Sequence, residues 1–179
     1  GQVDLHTHST ASDGTYTPSK LIIYAKSKGL KAIALTDHDT VDGLPEAICQ
    51  SKQSRIEFIP AIEIKAGWGQ ELHILGYGIR PDALPLLAGI SKMQNFRNSR
   101  NVRMIAKLNA LGCAVNMEEI QQQAGGHVIG RPHIASVLVQ KGYVRDWQEA
   151  FDQYLGVGGP AYEQKKMLTP PEAIDMLHA

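Results

Sequence analysis

Sulfur is scarce in this chain. Only Cys49 and Cys113 occur, far apart, which excludes a disulfide framework and any Cys-x-x-Cys metal pattern and suits a reducing compartment. An excess of one charge is missing too: 18 basic and 18 acidic residues leave a formal net charge of zero. That balance argues against coating nucleic acid through bulk charge, while leaving room for a local basic patch. No apolar run approaches the ~20 residues of a membrane span, and no basic-then-apolar leader is visible. A cytoplasmic location is therefore expected, with no membrane partner and no sign of a stable protein partner. At 179 residues, one domain with room for an inserted lobe is expected.

What is present is a set of potential metal ligands at successive strand ends. Asp4-Leu5-His6-Thr7-His8 comes almost at once, and Asp13 follows. Period-two alternation turns His6 and His8 to one side of a strand and Val3 and Leu5 to the opposite, apolar side. Thr36-Asp37-His38-Asp39 closes the next apolar run, Glu63 the third, and His73 sits in the fourth. His6, His8 and Glu63 can hold one ion, while Asp13 and His38 approach a second. Mixed imidazole and carboxylate ligands suit Mn²⁺, Fe²⁺ or Zn²⁺. Two such ions about 3.5–4 Å apart can bridge a hydroxide and polarise a phosphoryl oxygen.

Each of these residues also has an ordinary reading. Asp37 and Asp39 suit ligands, acceptors for an imidazole N–H, or the start of a turn. A carboxylate at Glu63, between Ile62 and Ile64, must be coordinated, paired or turned out to solvent. By spacing alone, His73 reads as an ordinary strand histidine.

The first 80 or so residues alternate strand and helix. Strands are expected at 3–5, Ala32–Leu35, Ile56–Ile64 and Leu72–Ile79, the last two joined through a Gly67-Trp68-Gly69 turn as a hairpin. Thr17-Pro18 reads as an N-cap with Pro at the first helical position, opening a helix that stops at Gly29, and a second helix spans Gly43–Gln53. From Asp82 the pattern becomes helical: 84–111, 117–124, 132–141 and 146–155, with a possible strand at Val128-Ile129. Thr169-Pro170-Pro171-Glu172 repeats the Thr-Pro helix start. The expected division is 1–81 as barrel-type α/β, 82–165 as an inserted helical lobe, and 166–179 as a return to the α/β body.

Two basic features lie in the helical stretch. In Gly130-Arg131-Pro132-His133, Pro132 suits a first helical turn, placing Arg131 and His133 where free N–H groups favour a phosphate; a plain helix start with a solvated Arg is the alternative. Between Asp82 and Glu118 no acidic residue occurs, and Arg100, Arg103 and Lys107 share one helical face. That face reads as a basic wall for a phosphorylated substrate or as a solvated surface.

Taken together, Asp4-Leu5-His6-Thr7-His8 with Ser12-Asp13-Gly14, Leu35-Thr36-Asp37-His38-Asp39, and Pro60-Ala61-Ile62-Glu63-Ile64 with His73 resemble the PHP (polymerase and histidinol phosphatase) family of metal-dependent phosphoesterases. Gly130-Arg131-Pro132-His133 and the helical insertion resemble the branch acting on nucleoside 3′,5′-bisphosphates and RNA 5′ ends. The resemblance implies a distorted (β/α)₇ TIM-like barrel with two or three divalent metals per complete site. His6, His8 and Glu63 would bind the first, Asp13 and His38 the second, and His73 the third, with Glu63 bridging. Arg131, His133 and Arg100 would meet the phosphates of a nucleotide or RNA 5′-end substrate. The family pattern continues into a His-Pro strand end and an Asp-x-His motif, which do not occur before Ala179. The chain therefore reads as part of a longer protein, with an incomplete barrel and an active parent enzyme. An amidohydrolase-type metallohydrolase and a catalytically silent PHP accessory domain are the alternatives.

Overall fold

The computed structural model describes residues 1–68, 70–125 and 129–178. The chain folds as two compact units, one of residues 1–93 with 167–179 and a second of residues 94–166.

The first unit is built on a four-stranded sheet in the order β1 (Val3–Thr7), β2 (Ala32–Leu35), β3 (Glu57–Gly67) and β4 (Glu71–Tyr77). The first three are parallel, linked through α1 (Pro18–Ser27) and α2 (Leu44–Ser54); β3 and β4 form the antiparallel hairpin. Of the expected hairpin turn, Gly69 lies outside the described residues, while Trp68 N–H donates to the Gln70 carbonyl at 3.0 Å. All four residues of β2 are buried, as a central parallel strand requires. Helix α1 begins as its sequence dictates, with the Thr17 hydroxyl accepting from Lys20 N–H at 3.3 Å and Pro18 opening the helix.

One expectation fails at the sheet edge. Val3 and Leu5 do not reach a core; they are 53% and 40% exposed. Alternation sets which way a side chain points, but β1 is an outer strand whose one neighbour in the sheet is β2, and burial also needs a covering layer.

Helix α7 (Pro170–His178) closes the unit against β3 and β4. Its start is a capping box: Glu172 accepts from Thr169 N–H at 2.8 Å, and Thr169 Oγ1 accepts from Glu172 N–H at 3.4 Å. The backbone N–H of Thr169, together with Lys92 at 2.9 Å and the Thr169 hydroxyl, holds the Glu172 carboxyl down at about 2. The folded value lies below the ordinary one, so this stabilisation is complete above pH 4.5 and lost as pH falls toward 2. A Tm-versus-pH series should show Glu172→Gln matching the parent at pH 2 and falling below it from pH 4.5 upward. A Glu172→Gln curve parallel to the parent across that window would disprove the cap's contribution.

The second unit is helical. Residues 94–110 of α3 (Leu84–Ala110) are followed by α4 (Met117–Ala124), α5 (Arg131–Gln140) and α6 (Trp147–Ala150), the last continued by a π-helical turn over Phe151–Leu155. Met104, Leu108, Ile120, Ile134, Leu138 and Leu155 form its fully buried centre. Asn116 and Glu119 cap α4 reciprocally, a local signal of the same kind as Thr169 and Glu172. Of the possible strand at Val128-Ile129, Val128 lies outside the described residues and Ile129 is in irregular backbone. Among the described residues, no helix is long and apolar enough to cross a membrane.

Candidate metal centre

The dispersed ligands of the sequence meet at the carboxyl ends of the parallel strands, and Glu63 is the hub. Its carboxylate is almost wholly buried. Glu63 Oε2 lies 3.0 Å from His6 Nε2, 3.2 Å from His8 Nε2 and 3.3 Å from His38 Nδ1, while Oε1 lies 2.7 Å from His73 Nδ1. Asp13 approaches from the loop after β1, with Oδ1 3.5 Å from His8 Nδ1 and Oδ2 3.4 Å from His38 Nε2. Three overlapping groups result: His6, His8 and Glu63; His8, Asp13 and His38; His38, Glu63 and His73.

Backbone pairing explains the convergence. The β1–β2 register shifts between Asp4 and Thr7, an irregularity that re-aims the strand end and leaves the His6 and His8 rings 5.2 Å apart. Thr36 ties that end to β2, its N–H and hydroxyl both donating to the Thr7 carbonyl at 2.9 Å. His38 forms an isolated parallel bridge with Glu63, through Glu63 N–H to Asp37 O at 3.1 Å and Asp39 N–H to Glu63 O at 2.9 Å. Asp39 takes a left-handed turn (φ 54°) there, the turn role among its sequence readings, and its carboxylate accepts from Lys65 N–H at 3.0 Å.

Among the described residues, Asp37 touches no imidazole. It is buried and accepts from Ser9 N–H at 2.7 Å, Ser9 Oγ at 2.6 Å and Ser12 Oγ at 2.6 Å. It therefore clamps the loop that carries His8 at one end and Asp13 at the other. The clamping role of Ser9 and Ser12 escaped the sequence reading because nothing local marks it; their partner is more than 20 residues away.

The donor set fits divalent cations on two observations. First, His8 Nδ1 and His38 Nδ1 are buried without a hydrogen-bond partner, a costly state that a cation would relieve where that nitrogen is the ligand. Second, ligand atoms about 2.1 Å from one ion stand about 3.0–3.4 Å apart at neighbouring corners of an octahedron or tetrahedron. Most of the separations around Glu63 and Asp13 fall there. A neutral imidazole has one lone pair, so His8 and His38 can each serve only one of the groups they border, whereas the Glu63 carboxylate can serve two.

Electrostatics favour the ligand protonation state at His38 and Glu63. Burial pushes the His38 imidazole below its ordinary value and the charge of Lys65 adds to that, keeping the ring neutral. Burial pushes the Glu63 carboxyl up, but hydrogen bonds to His6 and His73 and the nearby His38 outweigh it and hold the group ionised. His73 moves the other way, raised chiefly by its 3.1 Å hydrogen bond to Glu71.

In the helical unit, Arg100 and Arg131 lie near one another. Arg100 is 8% exposed; Nη2 donates to Asn101 Oδ1 at 3.1 Å, and Nε is buried without a partner. Burial, then the charges of Arg131 and Arg97, push its pKa down. Arg131 Nη1 donates to the Leu155 carbonyl at 3.3 Å, and its guanidinium lies over the Phe151 and Tyr162 rings. His133 Nδ1 accepts from Gly130 N–H at 3.0 Å and so caps α5. The expected basic wall is divided: Arg103 and Lys107 both pair with Glu163 at 2.8 Å, whereas Arg100 turns inward.

A buried carboxylate ringed by four imidazoles on a mixed sheet is a donor set that can hold metal in an α/β protein. The PHP domain model matches residues 4–156, and the chain belongs to that family. It is 36% identical over 98% of its length to a 5′-3′ exoribonuclease of Haemophilus influenzae, covering 64% of that protein. It is 34% identical over 96% of its length to a 3′,5′-nucleoside bisphosphate phosphatase of Chromobacterium violaceum, covering 61% of it. A solved structure described as an amidohydrolase from Chromobacterium violaceum, with bound sulfate and no metal, superimposes with a TM-score of 0.75 at 33% identity, over 99% of this chain and 63% of that one. The chain thus has the expected α/β PHP fold with its sheet open, and spans under two thirds of these relatives' length.

Proposed function

We propose that this chain carries most of the metal centre and the substrate-anchoring residues of an enzyme that hydrolyses phosphate esters of nucleotides. The substrates would be nucleoside 3′,5′-bisphosphates, 5′-phosphorylated RNA ends, or both. The observation that carries the reading is the buried Glu63 carboxylate contacted by four imidazoles, two of which present orphaned ring nitrogens. His6, His8 and Glu63 would hold one divalent ion, Asp13 and His38 a second, and His73 with Glu63 a third, Mn²⁺ being the best match and Fe²⁺ or Zn²⁺ the others. Ions so held would supply Lewis acidity, drawing charge from a phosphoryl oxygen and lowering the pKa of a water.

The chain's own residues would do the rest. Glu63 orients the imidazoles, and the Asp37 clamp keeps Asp13 beside His8 and His38. Arg131 and Arg100 would bind phosphate, since a buried guanidinium with an unpaired N–H beside two other arginines needs an anion. His133 would assist from the first turn of α5.

The test is phosphate release from a nucleoside 3′,5′-bisphosphate with Mn²⁺, run on this chain and on the longer protein, with 5′-phosphorylated RNA in parallel. Activity that chelation removes and Mn²⁺ restores is the expected result. Hydrolysis of an amide substrate instead, as the name of the solved relative would allow, overturns the reading. Arg131→Ala should raise KM about tenfold or more with kcat changed less, the pattern of lost ground-state binding. Unchanged KM and kcat would remove Arg131 from the phosphate site.

A further inference from the structure

Strand β3 places a lysine on the metal-centre face. In the β3–β4 register Lys65 stands opposite His73, Glu63 opposite Leu75 and Gly67 opposite Glu71. Alternation therefore puts Glu63 and Lys65 on one face with His73 and Glu71, while Ile62, Ile64 and Ala66 are fully buried on the other. The Lys65 backbone is fixed by its N–H to Asp39, next to His38, so its position is tied to the loop that supplies a ligand.

Its ammonium is the anomaly. Surface cations either pair with carboxylates, as Lys92, Arg103, Lys107, Lys141 and Arg145 do, or stand exposed to solvent without an ion pair, as Lys20, Lys31 and Lys52 do. Lys65 is half-buried, and none of the described carboxylates forms an ion pair with it. A fixed positive charge beside a cation-binding cluster opposes cation binding, and its influence reaches His38. Such a placement is favourable when an anion joins the assembly. A lysine ammonium is a compact point charge with three donors, suited to an oxygen of a tetrahedral phosphate.

We propose that Lys65 is a catalytic residue that contacts the phosphoryl group at the metal centre, giving that group a protein-borne positive charge in addition to the metals. This rests on the phosphoesterase reading. Lys65 would bind the phosphoryl oxygens directly and counter the charge that builds on them during hydrolysis.

The test uses inorganic phosphate, the expected product, titrated calorimetrically into the Mn²⁺-loaded chain, with Mn²⁺ stoichiometry and Tm measured separately. Lys65→Met should weaken phosphate binding about tenfold or more while leaving Mn²⁺ stoichiometry and Tm unchanged, and Lys65→Arg should recover most of the affinity. Phosphate affinity within about twofold of the parent in Lys65→Met overturns the assignment of Lys65 alone. Loss of Mn²⁺ together with phosphate, unrescued by Lys65→Arg, also overturns it by showing a structural role. No phosphate binding in Mn²⁺ by either this chain or the longer protein would overturn the phosphoesterase reading and this proposal with it.

Discussion

Glu63→Ala should remove most of the divalent-metal binding by this chain. The carboxylate contacts His6, His8, His38 and His73, and it belongs to two of the three candidate groups. Its loss leaves Asp13 at the loop side and Glu71 beside His73 as the anions next to the four imidazoles. Even residues that merely orient metal ligands cost about 10–100-fold in metal affinity when removed, so a shared ligand should cost more. Thermal denaturation with and without Mn²⁺ is the direct measurement. At about 100 times its Kd the metal should stabilise the parent by about 2.7 kcal/mol, and Glu63→Ala should show only a small part of that gain. An equal Mn²⁺-induced shift in both proteins would show that the cluster is not the metal centre.

The largest effect on the metal-free protein should come from Asp37→Ala. Both Asp37 and Ser9 are buried, and truncation strands the Ser9 N–H and the hydroxyls of Ser9 and Ser12. Each stranded buried donor costs about 1–3 kcal/mol, with rotation of the hydroxyls recovering part of it, for an expected loss of about 3–5 kcal/mol. Urea denaturation measures it. A loss below about 1 kcal/mol would mean that the loop re-forms its bonds without the carboxylate. The loop between His8 and Asp13 should also loosen, so Mn²⁺ stoichiometry should fall at the group containing Asp13 before the group of His6, His8 and Glu63.

Much of the local architecture was legible because its causes are local. Thr17-Pro18 and Thr169-Pro170-Pro171-Glu172 start helices through hydrogen bonds spanning three residues. Ala32–Leu35 is a buried strand because a continuously apolar run has no solvent face to offer. Lys65 was equally within reach: it stands two residues after Glu63, and the alternation that pairs His6 with His8 puts it on the Glu63 side. The polar role of Asp37 was not within reach, since its serines precede it by more than 20 residues. The basic face shared by Arg100, Arg103 and Lys107 was also misleading. Helical spacing aligns the three, but the pairing of two of them with Glu163 depends on a residue more than 50 positions later.

By itself the sequence determined the kinds of ligand, their order along the chain and the family to which that order belongs, because strand alternation and helix caps act over a few residues. The tertiary structure alone decided that Glu63 is the common contact of four imidazoles, and that Asp37 serves the loop rather than a ring. It also decided that Val3 and Leu5 stay exposed at an open sheet edge and that Arg100 turns inward. Those outcomes follow from which distant segments pack together, where hydrogen bonding and burial are settled by what lies across the contact and not by spacing along the chain.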